Sequence, residues 1–155
     1  MNKTMRRKER KISDKEAFEI LTKGEYGILS MCTPDNEGYG IPLNYVLCGD
    51  RIYFHCAVEG KKLDILKINN RVSFCVVGTT QLLPAEFGTV FESCIVSGPA
   101  SIADGDEKRE GLKQLVAKYS GDYIAEGDDY INKFYERVLV IKLSIESFSG
   151  KARRS

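Results

Sequence analysis

Between residues 26 and 57 the chain changes direction twice within turns too short to hold a helix, and this limits the folds open to it more than any other feature. Residues 26–31 carry Tyr26, Ile28, Leu29 and Met31 and read as a strand. Pro34-Asp35-Asn36-Glu37-Gly38 is a turn, and residues 39–47 return as its partner. Gly49-Asp50 turns the chain again into 51–57. Connections this short join antiparallel neighbours, so the three segments predict a β-meander.

The rest of the chain extends that pattern. Ser13-Asp14-Lys15-Glu16 has the form of a capping box, Ala17, Ile20 and Leu21 follow at helical spacing, and Gly24 is a stop. Residues 61–70 show helical spacing through Leu63, Leu66 and Lys67, and 71–77 predict a strand apolar on both faces. Residues 79–89 lack a period and contain Pro84, which predicts a long loop before a strand over 91–102. The strongest helix signal covers 104–119, with Asp104, Asp106 and Glu107 first and Leu112, Leu115 and Val116 on one face. Residues 137–145 alternate as a closing strand. About six strands in hairpin order with few helices predict a mainly β fold, an antiparallel six-stranded barrel whose closure removes exposed edges. No linker divides the chain, so residues 1–155 are expected to form one domain, with a basic arm at 1–11 and a basic tail at 150–155.

Charge narrows the function. With 23 Lys+Arg against 22 Asp+Glu there is no global field to draw the protein onto nucleic acid or a membrane. No apolar stretch approaches the roughly 20 residues of a spanning helix, and no apolar run follows the basic start as a secretory signal requires. The expectation is a soluble cytoplasmic protein. Five cysteines without a C-x-x-C pair, and a single histidine, do not assemble a local zinc set and read as packing residues in a reducing compartment. His55 and Cys56 are consecutive in a strand and point to opposite faces, which argues against a thiol nucleophile with its base.

The strand Ile52-Tyr53-Phe54-His55-Cys56-Ala57 runs through Gly60 into Lys61 and Lys62 at the predicted start of a helix. Cations there oppose the helix dipole by about 0.3–1 kcal/mol each when exposed. Either a bound anion relieves them or they are solvated, with Asp64 as the compensating charge. Gly38-Tyr39-Gly40 lacks the third glycine and following helix of a dinucleotide fingerprint.

Several motifs, in order along the chain, carry a resemblance. Met5-Arg6-Arg7-Lys8, Pro42-Leu43-Asn44-Tyr45, Tyr53-Phe54-His55-Cys56-Ala57 with Gly60-Lys61-Lys62, and Leu83-Pro84-Ala85-Glu86-Phe87 are similar to the Nim family of 5-nitroimidazole resistance proteins. Glu92-Ser93-Cys94-Ile95-Val96-Ser97-Gly98 and Gly150-Lys151-Ala152-Arg153-Arg154 fit the same pattern. Together they resemble the wider pyridoxamine 5'-phosphate oxidase-like group of FMN-binding split barrels. The chain departs from its Nim relatives at Gly88 and Phe91, where they tend to carry threonine and tyrosine.

The resemblance implies a homodimer with FMN in grooves at the subunit interface. It assigns the flavin phosphate to Lys62 with Lys61 beside it and to Ser93, and backbone contacts with the flavin ring to Pro42, Leu43, Asn44, Tyr45, Phe54, His55 and Cys56. His55 is implied near the substrate as a hydrogen-bond or proton donor, the candidate catalytic residue. The implied activity is an FMN-dependent oxidoreductase of nitroreductase type, reduced by NAD(P)H or a redox partner and acting on a small molecule. A flavin carrier or redox sensor without turnover, or a haem-binding barrel with His55 as axial ligand, are the alternatives.

Overall fold

The computed structural model describes residues 4–155; Met1, Asn2 and Lys3 of the basic arm lie outside the described residues. Helix α1 (Asp14–Lys23) starts at the expected capping box, in which Ser13 and Glu16 satisfy each other's backbone N–H groups. Strands β1 (Gly27–Cys32), β2 (Gly38–Leu43), β3 (Val46–Cys48) and β4 (Arg51–Ala57) follow, then α2 (Lys61–Ile68), β5 (Arg71–Leu83) and β6 (Gly88–Ala103). Helices α3 (Gly105–Tyr119) and α4 (Ile124–Phe134) precede β7 (Val138–Ser144) and β8 (Ser147–Arg153).

All strand pairs are antiparallel, in the order β2-β1-β5-β6-β7-β4-β3 with β8 on β6. The long strand β6 joins the two halves of the barrel. Its first part pairs with β5 and β8, and Ala100 to Ala103 pair with β7. At the transition a Cβ on Gly98 would fall on the carbonyl oxygen of Ser144, so close approach of two backbones demands glycine there.

Alternation fills the barrel. Leu29, Ile52, Phe54, Phe74, Val76, Val96, Ile141 and Leu143 are fully buried in one cluster. The ring of Phe74 meets Tyr45 and Phe54 edge-on, with centroids 4.8 and 5.0 Å apart. Helix α2 adds Leu63 and Ile65 to this core, and α1 adds Ala17, Ile20 and Leu21. A second cluster lies outside the barrel, where Tyr53 and Val140 meet Leu112 and Leu115 of α3 and Ile131 of α4.

The mainly β antiparallel class agrees with expectation, but there are eight strands rather than six. Residues 39–47 form two strands because the chain breaks at Asn44-Tyr45. The expected loop over 79–89 is a hairpin arm: β5 and β6 stay paired from Thr80↔Phe91 to Leu83↔Gly88, and Pro84–Glu86 makes a tight turn. Its pattern has no inward face to repeat, since Leu82 and Phe87 are both exposed, Phe87 at 97%. Most of the expected basic tail is β8, whose inward Gly150 and Ala152 are buried between outward Lys151 and Arg153. Helix α4 was not anticipated; its buried residue Ile131 packs only through tertiary contact. Among the described residues no helix is long and apolar enough to cross a membrane.

Candidate functional site

The site begins where the barrel lacks strand pairing. Strand β3 covers β4 only at Arg51 to Tyr53, so from Phe54 to Ala57 β4 pairs with β7 alone. At the other end of the strand order β2 pairs with β1 alone. Helix α2 starts by this opening, and Lys61 Nζ lies 4.5 Å above the ring of Tyr39 in β2.

On β4 the expected division of faces holds. Phe54 and Cys56 point into the core, while His55 points out and is exposed. His55 lines a pocket of about 250 Å³ together with Asn44, Leu115, Tyr119, Tyr130 and Phe134. Although one side of the imidazole is open, this largely apolar wall desolvates the ring and lowers its pKa from the ordinary 6.5. At neutral pH the ring is uncharged, one nitrogen carrying a proton and the other free to accept one. Burial raises the pKa of the Cys56 thiol against the opposing charge of Lys62, so Cys56 is a neutral packing group.

Asn44 reaches this pocket because Tyr45 is locked in place. The side chain of Tyr45 is 0% exposed, and its hydroxyl donates to the carbonyl of Leu21. Its backbone N–H donates to the hydroxyl of Tyr119 at 2.9 Å, and its carbonyl accepts from Lys118 Nζ at 2.9 Å. The Tyr119 hydroxyl also reaches the carbonyl of Glu25 at 2.5 Å. Both backbone groups of Tyr45 are therefore engaged by the end of α3. The backbone of the motif left free of α3 is that of Pro42, Leu43 and Asn44, of which Pro42 contributes a carbonyl only. Phe54, wholly buried by side chain, is likewise restricted to its backbone.

The sequence marks neither Lys118 nor Tyr119 as a site residue. No local pattern announces either, since their partner Tyr45 is 73 and 74 residues away. Lys118 has its Nζ 3.8 Å above the Tyr45 ring, and burial lowers its pKa to about 8.

The helix start suits an anion. Gly60 has φ 143° and ψ 165°, and its carbonyl accepts from the N–H groups of Leu63 at 3.0 Å and Asp64 at 3.2 Å. No side chain caps α2. Among the described residues the N–H groups of Lys61 and Lys62 donate to no backbone carbonyl outside the regular ladders. Asp64 sits 3.9 Å from Lys67, so it is engaged away from Lys61 and Lys62. Lys62 is half-buried beside Cys56. Ser93 is elsewhere, on the outer face of β6, opposite Val77 of β5 and Lys151 of β8. Among the described residues no hydrogen bond, ion pair or pocket joins Ser93 to Lys61 or Lys62.

The described cysteines Cys32, Cys48, Cys56, Cys75 and Cys94 are all free, and among the described residues no group of three or more His, Cys, Asp or Glu side chains is placed to hold a metal ion.

Residues 13–152 match the pyridoxamine 5'-phosphate oxidase family. No functionally curated protein matches the chain. Solved structures with the same fold include a candidate 5-nitroimidazole antibiotic resistance protein of Bacteroides thetaiotaomicron, 21% identical over 90% of this chain and 84% of that one, with a TM-score of 0.76. A flavocytochrome of Azotobacter vinelandii is 20% identical over 98% of this chain and 73% of its own, with a TM-score of 0.80. A FAD- and haem-binding protein of Mycobacterium smegmatis is 17% identical over 92% and 72%, with a TM-score of 0.81. The match over residues 13–152, carried on a mainly antiparallel barrel of the same fold, makes this chain a member of the pyridoxamine 5'-phosphate oxidase family.

Proposed function

We propose that this chain is a flavin-dependent oxidoreductase of nitroreductase type that takes FMN and works as a homodimer. One observation carries the reading: the histidine pocket, the unpaired edge of β4 and the uncapped helix start at Gly60 are consecutive along one stretch of chain. A flavin needs these three surfaces, an apolar wall for a ring, free backbone groups for its polar edge, and an anion site for its phosphate. The residues present fit such a group. Lys62, Lys61 and the first N–H groups of α2 would hold the phosphate. Pro42, Leu43, Asn44, His55 and Cys56 would meet the ring through their backbone, with Ser93 as a further phosphate ligand. The flavocytochrome and the FAD- and haem-binding protein of the same fold support a flavin by their names.

A bound flavin supplies the hydride or electrons that no side chain provides. The protein's own contribution is placement. Leu115, Tyr130 and Phe134 exclude water from the pocket, and Asn44, held by its neighbour Tyr45, orients a polar substrate group. His55, neutral near pH 7, donates the proton on its imidazole nitrogen to a reduced nitro or carbonyl oxygen. NAD(P)H or a redox partner serves as reductant.

The homodimer rests on the outer face of β1, β2, β5 and β6. Strand register aligns Pro42, Ile28, Cys75 and Ile95 in one apolar row, and Gly40, Ser30, Ser73 and Ser97 in a row of small residues beside it. An outward face of this composition suits a second copy.

Anaerobic mixing of purified protein with NAD(P)H and then a nitroimidazole tests the activity. Flavin bleaching followed by reoxidation on adding the nitro compound is expected, and His55→Gln slows the second phase alone. A flavin that no nitro compound reoxidises points instead to a carrier or sensor, and analytical ultracentrifugation showing a monomer removes the dimer.

A further inference from the structure

A second cavity, of about 490 Å³, lies beside the His55 pocket and shares Asn44 and Tyr119 with it. Its wall is completed by Thr22, Lys23, Glu25 and Tyr26 from the end of α1 onward and by Lys118 from the last turn of α3. Lys23, Glu25 and Tyr26 are exposed, whereas Lys118 is half-buried. Contacts distant in sequence hold Lys118 there. Its Nζ stands 3.8 Å from the centre of the Tyr45 ring and 5.2 Å from that of Tyr119, and it donates to the Tyr45 carbonyl at 2.9 Å.

The charge on this amine is uncompensated. An ammonium carries three donors. Among the described residues this one has a single hydrogen-bond acceptor and no carboxylate within ion-pair distance. The faces of the two tyrosine rings attract it but carry no net charge. Burial lowers its pKa to about 8, and no carboxylate opposes that shift. At neutral pH the amine is therefore still protonated, with N–H groups to spare. An anion in the cavity would accept from those groups and restore the solvation that burial removes. Because the Glu25 carboxylate is in the same wall, a single negative charge suits the cavity better than a phosphate dianion. The adjoining His55 pocket, walled by Leu115, Tyr130 and Phe134, suits the flat apolar body of such an anion.

We propose that Lys118 makes this cavity a carboxylate-binding site, so that the two adjoining pockets take small planar acids, the carboxylate at Lys118 and the group to be reduced at His55. Carboxylate binding stands on the cavity and its unpaired cation; that the bound acid is a substrate rests on the proposed function. For a nitro acid, each two-electron turnover oxidises one NAD(P)H to NAD(P)+ and, with one further proton, converts the nitro group to a nitroso group and water.

Calorimetric titration of the purified full chain at pH 7 with benzoate, and with the neutral isostere benzamide, tests the binding. The wild type should prefer benzoate, and Lys118→Met should lose that preference by about tenfold or more, as loss of a charge-assisted hydrogen bond requires. Lys118→Arg should retain it. Tyr119→Phe loosens the same contact to Tyr45 but leaves the ammonium, so it should change the two affinities alike. Thermal unfolding checks that each variant folds. A wild type that binds benzoate no better than benzamide, or a preference that survives in folded Lys118→Met, overturns the site. The substrate assignment is read from kcat/KM for 4-nitrobenzoate against 4-nitrobenzamide, whose ratio should fall about tenfold or more in Lys118→Met. Equal kcat/KM for the two in the wild type overturns that assignment and leaves the proposed function standing. Lys118-dependent benzoate binding by a chain that reduces neither compound sinks the proposed function and leaves the carboxylate site standing.

Discussion

Replacing Tyr119 by phenylalanine removes one oxygen atom and tests how the candidate pocket is held open. That oxygen accepts the backbone N–H of Tyr45 at 2.9 Å and donates to the Glu25 carbonyl at 2.5 Å. In Tyr119→Phe the Glu25 carbonyl, on an exposed residue, turns to water, and Lys118 still holds the Tyr45 carbonyl. What remains is the N–H of a residue 0% exposed. An orphaned buried donor costs about 1–3 kcal/mol. For a chain of this size each kcal/mol shifts Tm by about 2–4 °C, so Tm should fall by about 2–12 °C. The control is Tyr135→Phe, whose hydroxyl donates to the Gly105 carbonyl at 3.2 Å in an exposed setting; it should stay within about 0.5 kcal/mol of wild type. Urea unfolding followed by circular dichroism gives both values. A Tyr119→Phe protein as stable as the Tyr135→Phe control refutes the reasoning, because it means that water reaches the Tyr45 amide and the end of α3 does not lock Asn44.

The other predictions concern the same region. Gly60→Ala should destabilise by about 1–3 kcal/mol through its φ of 143°, a region nearly reserved for glycine, although no atom lies within 4 Å of the added Cβ. Gly38→Ala, with equal space and no positive φ, should be near neutral by urea unfolding, and equal losses in the two variants would contradict the strain argument. His55, the only imidazole, should titrate below 6.5 by NMR. Because its folded pKa lies below its unfolded one, its contribution to stability is present above 6.5 and is lost as pH falls through the folded value; His55→Gln should remove that dependence, and a titration above 6.5 counts against the apolar pocket. Lys118 should titrate near 8 in competitive acylation, with stability gained between pH 8 and 10.5 as its charged form ceases to be favoured in the unfolded chain; an ordinary value above 10 would show that the amine is solvated.

Features written in local spacing were legible from the residues alone. The capping box at Ser13 and Glu16, the two hairpins β1–β2 and β3–β4, which replace the expected continuous meander, and the opposed faces of His55 and Cys56 depend on neighbours within a few positions. Gly24 ends α1 as expected, though for a further reason: a Cβ there would strike Val76 and the Tyr45 hydroxyl. Features set by distant contact were not legible. The break at Asn44-Tyr45 exists because Tyr45 turns into the core and is fastened by α3, and a lone Asn44 without glycine does not mark it. The arm over 79–89 carries Pro84 and no inward face, so it resembles a loop, yet its backbone remains paired. Strand β8 is short, basic and rich in small residues, and only its pairing with β6 reveals it. The same pairing sets Ser93 beside Lys151.

The claim most worth testing is that the opening beside β4 and α2 holds a flavin. Absorbance of untagged purified protein, before and after heat release of bound small molecules, measures it directly. A flavin spectrum in the wild type, release of FMN, and loss of most of that flavin in Lys62→Ala with the fold intact are expected. A Soret band in place of the flavin bands, or a folded wild-type protein that neither carries flavin nor binds added FMN, would contradict it.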